Sequence, residues 1–187
     1  MPRSNLQSPK RKGTNFEKKV VNILRKAFRE SSHEYLKSFP DGHLARTPDS
    51  GAGPHDKGDI IKRGKMSVAF PWSVECKYTE EMPYLDRLLD KRTTFFDNCW
   101  IQTCQSAEQA QEFPMLVWSR DRYPILCAVP QMIPELTGVD CPLLICLFTE
   151  LLEGLVTEAH RTLEYGEKYG NNFSADGIQN CVLLGND

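Results

Sequence analysis

Two hydrophobic periods alternate along this chain, and that alternation restricts its fold more than any other feature. Phe16, Val20, Ile23, Leu24, Ala27 and Phe28 recur with the 3.6-residue period of a helix. Lys18, Lys19, Arg25, Lys26 and Arg29 occupy the other side. The spacing predicts a basic-faced amphipathic helix of about 15 residues, capped by Thr14 or Asn15 and ending near Ser31 and Ser32. From Phe70 to Tyr78 the period falls to two, with Val74, Cys76 and Tyr78 alternating with Ser73, Glu75 and Lys77. Between them lie the turn signal Pro40-Asp41-Gly42, a short strand candidate from His43 to Thr47, and a loop rich in Gly and Pro over 48–58. Asp59-Ile60-Ile61 resumes extended structure, and Arg63-Gly64-Lys65 reads as a hairpin tip. The helical period returns between Leu85 and Glu112, in one or two pieces, with Pro114 as its stop. Met115 to Ser119 and Pro124 to Val129 are apolar runs suited to a β-hairpin or to neighbouring strands. Leu143 to Leu155 reads as a strand running into a helix, and Thr157 to Tyr169 as weakly helical. This order predicts an α/β fold with a central mixed β-sheet flanked by helices, αβββαβ.

A chain of 187 residues suits one domain with a sizeable core. No apolar run reaches the roughly 18 residues that span a bilayer. The basic N-terminus lacks the apolar stretch of a secretory signal. These features predict a cytoplasmic protein without a membrane partner, its seven cysteines reduced. Cys99-x4-Cys104 and Cys141-x4-Cys146 lie in apolar patterns without His at finger spacing, so they read as buried thiols rather than zinc ligands. Gly51-Ala52-Gly53 is too short for a nucleotide-binding loop, and no nucleotide cofactor is expected. His55 in the same loop reads as a surface residue. The charge is divided unevenly. Residues 1–77 carry 16 Lys and Arg against 8 Asp and Glu, whereas residues 78–187 carry 7 against 17. A basic half beside an acidic half suggests a positive face for a polyanion such as nucleic acid.

The chemistry concentrates on Asp59 and the triplet Glu75-Cys76-Lys77. Residues two apart on a strand share a face, so Glu75 and Lys77 project together. Asp59 opens the strand expected to neighbour it. Two carboxylates brought together repel unless a cation lies between them. An all-oxygen site of this kind suits Mg2+, with Mn2+ as a substitute. Such a metal polarises a phosphate oxygen and lowers the pKa of a bound water. A lysine beside it offsets charge developing on the phosphate. The competing reading is an alternating strand whose Glu and Lys are merely solvated.

Arg46, Ser50-Gly51, Gly58-Asp59-Ile60 and Glu75-Cys76-Lys77, following a helix that carries Glu17, resemble the PD-(D/E)xK nuclease superfamily. Within it they look most like the archaeal and phage Holliday junction resolvases. Trp100-Ile101-Gln102 and then Pro114-Met115-Leu116-Val117 fit the aromatic-Gln helix and apolar strand that follow in that family. The resemblance covers about residues 14–130, which sets the nuclease core there. It leaves residues 1–13 as a flexible basic arm and 131–187 as a C-terminal extension of unknown role. It implies a restriction-endonuclease-like core. Asp59, Glu75, the backbone carbonyl of Cys76 and Glu17 would hold the metal, and Lys77 would be the catalytic lysine. Arg46, Ser50, Lys57, Lys10, Arg11 and Lys12 would contact DNA, and Gln102 would support the site. Plain structural uses stand beside several of these: a helix N-terminal charge for Glu17, a surface charge for Arg46, a turn for Ser50, a cover for the sheet for Gln102.

The function implied is a Mg2+-dependent, structure-selective endonuclease acting on branched DNA. A symmetric cut of a four-way junction implies a C2 homodimer. A phage-encoded enzyme acting in the host cytoplasm would suit a small chain of this kind. A restriction-like or repair nuclease shares the same site chemistry. A non-catalytic DNA-binding or packaging protein with the same fold is the alternative from another class.

Overall fold

The computed structural model describes residues 8–31, 34–48, 58–84, 94–130 and 143–169. Its first element, helix α1 (Pro9–Arg29), begins earlier than the periodicity suggests. Ser8 is the N-cap, its Oγ accepting from Arg11 N–H, and Pro9 takes the first helical position, where its missing donor costs nothing. The expected cap at Thr14 or Asn15 is therefore corrected. The part of the expected flexible arm that is described, Lys10 to Lys12, is helical. Phe16, Val20, Val21, Leu24 and Phe28 are buried along one stripe of α1. Each contributes about 1.5–3 kcal/mol by leaving water, so the helix is held by this stripe.

A short helix α2 (Glu34–Lys37) and a 3-10 turn (Asp41–His43) lead into strand β1 (Leu44–Arg46). Strand β2 (Ile60–Lys62) pairs antiparallel with β1, Arg46 opposite Ile60. The expected hairpin tip at Arg63-Gly64-Lys65 is not one. Gly64 adopts φ +57 and starts a helical turn, α3 (Lys65–Ala69). Met66, Ala69 and Phe70 are all buried, and their spacing of three and four suits a helical turn. Consequently β2 and the next strand, β3 (Trp72–Tyr78), do not form a ladder hairpin.

Helix α4 (Thr94–Ala110) crosses from β3 to β4 (Phe113–Ser119), which runs parallel to β3. Gln111, with φ +55, ends the helix before Pro114 is reached. Strand β5 (Leu126–Pro130) pairs antiparallel with β4, as the two apolar runs suggested, and β6 (Leu143–Leu147) pairs antiparallel with β5. Helix α5 (Phe148–Tyr169) follows directly. The sheet order is β3-β4-β5-β6. One face packs α1, α3 and α5 through Val74, Cys76, Met115, Val117 and Cys127. The other packs α4 through Leu116, Trp118, Leu126 and Ala128, with Phe96 edge-on to Trp118. The result is the α/β architecture expected, a mixed sheet flanked by helices and compatible with a restriction-endonuclease-like fold. Residues 143–169, within the segment read as an extension, supply a strand of this sheet and a helix against its core.

Two tethers hold β2 against β3. At one end the Lys62 ammonium donates to the Trp72 carbonyl at 2.6 Å and pairs with Glu112. At the other, Asp59 N–H donates to the Val74 carbonyl at 2.8 Å. The second tether requires Gly58. Its φ is +77, and a Cβ there would lie 2.9 Å from the Val74 oxygen and 3.2 Å from Ser73 Oγ. Thr47 closes the turn, its Oγ1 donating to the Gly58 carbonyl and its N–H to the Asp59 carbonyl, both at 2.9 Å. Gly58→Ala should therefore destabilise the fold by about 1–3 kcal/mol. Gly42→Ala, where a Cβ meets nothing within 4 Å, should be close to neutral. Urea unfolding of both variants checks this, and equal effects would contradict it.

Candidate active site

Glu75 lies near the middle of β3, opposite Leu116 of β4, in a strand buried on both faces. Its carboxylate and that of Asp59 are almost fully buried, 8% and 6% exposed. The Gly58 turn brings Asp59 across β3, where its Oδ2 accepts from Cys76 N–H at 2.8 Å. Glu17, on the buried side of α1, is close enough to both to disfavour further negative charge. Glu17 lies two turns into the helix, so a helix N-terminal charge does not account for it.

Two cations answer this acidic cluster. The Arg46 guanidinium, at the end of β1, donates from Nε to Glu17 and from Nη1 to the Pro48 carbonyl. Lys77 Nζ donates to Glu75 Oε1 at 2.8 Å, as their shared strand face predicts. It also reaches Gln102 Oε1 on α4 at 3.3 Å. Burial works against the Lys77 ammonium, but the Glu75 carboxylate outweighs it, and the pKa rises above the ordinary lysine value. Lys77 is thus held protonated. Asp59 goes the other way. Burial, then repulsion from Glu75, push its pKa up to about 7, against the opposing bond from Cys76 N–H. The Cys76 thiol faces the core, and burial raises its pKa well above the ordinary thiol value, so it is inert.

The structure thus brings together Asp59, Glu75, Lys77, Glu17, Arg46 and Gln102. Ser50, Lys57 and His55 lie outside the described residues. Lys10, Arg11 and Lys12 lie in the first turns of α1, where Lys12 pairs with Asp121 at 2.9 Å. Cys99 is buried and Cys104 half-buried on α4, and Cys146 faces Cys127 across β5 and β6 with sulfurs 3.5 Å apart. Among the described residues, no three or more His, Cys, Asp and Glu close into a metal cage. The donor set nevertheless fits a hard divalent cation: buried carboxylate oxygens, mutually repelling, one of them driven toward its neutral form for want of positive charge. Gly58 and Thr47 are the residues that sequence reading passed over. A glycine directly before a buried Asp was the available signal for the first; nothing local marked Thr47.

The raised pKa has a consequence for stability. Asp59 ionises near 3.8 in its ordinary state and near 7 in the fold. Between these values the folded chain holds a proton that the unfolded chain has released. The stability this adds is complete below about pH 4 and is lost as pH rises through about 7. Asp59→Asn, which keeps the acceptor for Cys76 N–H, should therefore gain on wild type as pH rises from 5 to 8 without metal. The expected gain is on the order of 1–3 kcal/mol. A difference that stays flat across this range, by urea unfolding, would contradict the assignment.

A family model described as "Phage putative PDDEXK endonuclease" matches residues 8–143. No curated protein matches the chain, and no solved structure does. The matched region contains α1, β1 to β5, α4 and every member of the acidic cluster and its two cations. By this match, and with the fold and cluster it covers, the chain belongs to the phage PDDEXK endonuclease family of the PD-(D/E)xK superfamily.

Proposed function

We propose that this chain is a divalent-metal-dependent endonuclease that hydrolyses DNA phosphodiesters, with branched DNA as its preferred substrate. The observation that carries the reading is the meeting of Asp59, Glu75 and protonated Lys77 at one end of the Gly58 turn. Family membership points to a nuclease and therefore to DNA. Asp59 and Glu75 would hold the metal, with Glu17 and the Cys76 carbonyl as further oxygen donors. Mg2+ is the cation proposed, with Mn2+ able to replace it. When bound, the cation supplies a polarised phosphate oxygen and a water of lowered pKa.

The chain's own groups do the rest. Lys77 places a fixed positive charge beside the carboxylates, where negative charge would develop on the phosphate. Gln102 limits its wandering by accepting a second bond. Arg46 fixes the Glu17 carboxylate and keeps it turned toward β1. The almost complete burial of Asp59 and Glu75 removes competing water and strengthens each of these interactions.

Symmetric cutting of a junction requires two sites, so a C2 homodimer is part of the proposal. Strand β6 supports it: all five residues are apolar, none is fully buried, and Leu144 is 43% exposed. No helix among the described residues is long and apolar enough to cross a membrane, in keeping with an enzyme acting in the cytoplasm of a phage host.

A labelled four-way junction and a matched linear duplex, with Mg2+ or EDTA, test the proposal. Wild type should place paired symmetric nicks in the junction only, lost with EDTA. Asp59→Asn, Glu75→Gln and Lys77→Ala should each cut at least about 100-fold more slowly, with binding nearly intact. Cutting of both substrates would overturn the junction preference. Wild-type rates in any of the variants would overturn the site, and DNA binding without cutting under either Mg2+ or Mn2+ would leave an accessory protein.

A further inference from the structure

Beside the acidic cluster, on the α1 side of β3, lies a cavity of about 220 Å3. Lys12, Asn15, Phe16 and Lys19 of α1 line it, with Tyr78 of β3 and Asp121 of the β4–β5 turn. Phe16 and Tyr78 are the chain neighbours of Glu17 and Lys77, and their rings meet at 5.3 Å. The cavity therefore adjoins the catalytic groups across one residue on each element. An anion already sits at its mouth. Tyr78 Oη donates to Asp121 Oδ1 at 2.5 Å, and Lys12 Nζ donates to Asp121 Oδ2 at 2.9 Å. Two donors from separate elements thus converge on one carboxylate. That carboxylate is open to water, and its side chain is 55% exposed. Its pKa is lowered by the Tyr78 hydroxyl and then by Lys12, so both donors favour negative charge at this point.

The local sequence adds an independent reason to expect a polyanion here. Lys10, Arg11 and Lys12 fill the first turns of α1, which carries no acid in its first turn. Cations at a helix N-terminus oppose the helix dipole, so this placement costs helix stability. Lys18 and Lys19 continue the exposed positive charge, and the one acid in this half of α1, Glu17, is turned into the cluster. Among the described residues, Asp121 is the acid that meets this basic face at the cavity.

We propose that this cavity binds a backbone phosphate of the DNA adjoining the scissile bond, and that Asp121 occupies the phosphate position in the free protein. Lys12, Lys19 and the Tyr78 hydroxyl are its donors. DNA displaces the Asp121 carboxylate and takes over Lys12, which couples substrate binding to the β4–β5 turn. The subsite rests on the nuclease reading above and deepens it.

The opposite signs expected for its members make the test. Affinity for a labelled duplex and its salt dependence are measured by fluorescence anisotropy on the full chain without divalent metal. The double variant Lys12→Gln, Lys19→Gln should weaken binding about tenfold near 100 mM salt and lower the salt slope by about two, one per lost phosphate contact. Tyr78→Phe, which keeps the ring against Phe16, should weaken binding a few-fold. Asp121→Asn should tighten binding about threefold or more, although it removes two bonds of the free protein. Glu153→Gln, an exposed acid on α5, removes the same charge elsewhere and should leave affinity unchanged. Weaker binding by Asp121→Asn, an equal gain in Glu153→Gln, or an unmoved slope in the double variant would each overturn the subsite. If wild type cuts DNA while the variants bind as it does, the subsite alone falls. If wild type neither binds nor cuts DNA, the nuclease reading falls and the subsite with it.

Discussion

The close approach of Gly58 to Val74 is the constraint on which the rest depends. The Asp59 N–H reaches the Val74 carbonyl because residue 58 has no Cβ to meet that oxygen. From there Asp59 Oδ2 receives Cys76 N–H, which fixes the carboxylate one residue from Glu75 and Lys77. Thr47 holds the other side of the turn, one residue beyond Arg46. Thus one short crossing places contributions from β1, β2 and β3 at a common point. The buried Lys62 and Glu112 pair, at the far end of β2, keeps that crossing from swinging.

The cluster so formed is costly by itself. Three carboxylates with little exposure face each other in a poor dielectric. Arg46 relieves Glu17 and Lys77 relieves Glu75, leaving Asp59 without a cation of its own. Its pKa near 7 expresses that deficit. A structural core would gain by replacing such a cluster with apolar groups. Its retention in a fold otherwise well packed on both sheet faces is what functional sites look like.

Much of this was legible in the residues. Period two in β3 put Glu75 and Lys77 on one face, and period 3.6 marked α1 and α4 as the covers of the sheet. Glu17, Arg46 and Gln102 converge because the elements that carry them pack on the same end of β3. What was not legible depends on partners distant in sequence or on backbone geometry. Ser8 caps α1 six residues before the apolar pattern would place a cap, because Ser-Pro is a stronger start signal than the first buried side chain. Gly64 restarts a helix where a turn was expected, and only the burial of Met66, Ala69 and Phe70 shows why. The pairing of β6 with β5, and of Asp121 with Lys12 and Tyr78, follows from the assembled sheet and from no local pattern.

The central claim is that Asp59 and Glu75 together form a divalent-metal site that lacks a cation of its own. Calorimetric titration of Mn2+ into wild type, beside Glu75→Gln, addresses it without any assumption about the DNA. The account predicts binding at about pH 8 that weakens as pH falls through about 7, as Asp59 takes up its proton, and no binding in the variant. Absence of heat in wild type, or affinity that ignores pH and survives Glu75→Gln, would contradict it.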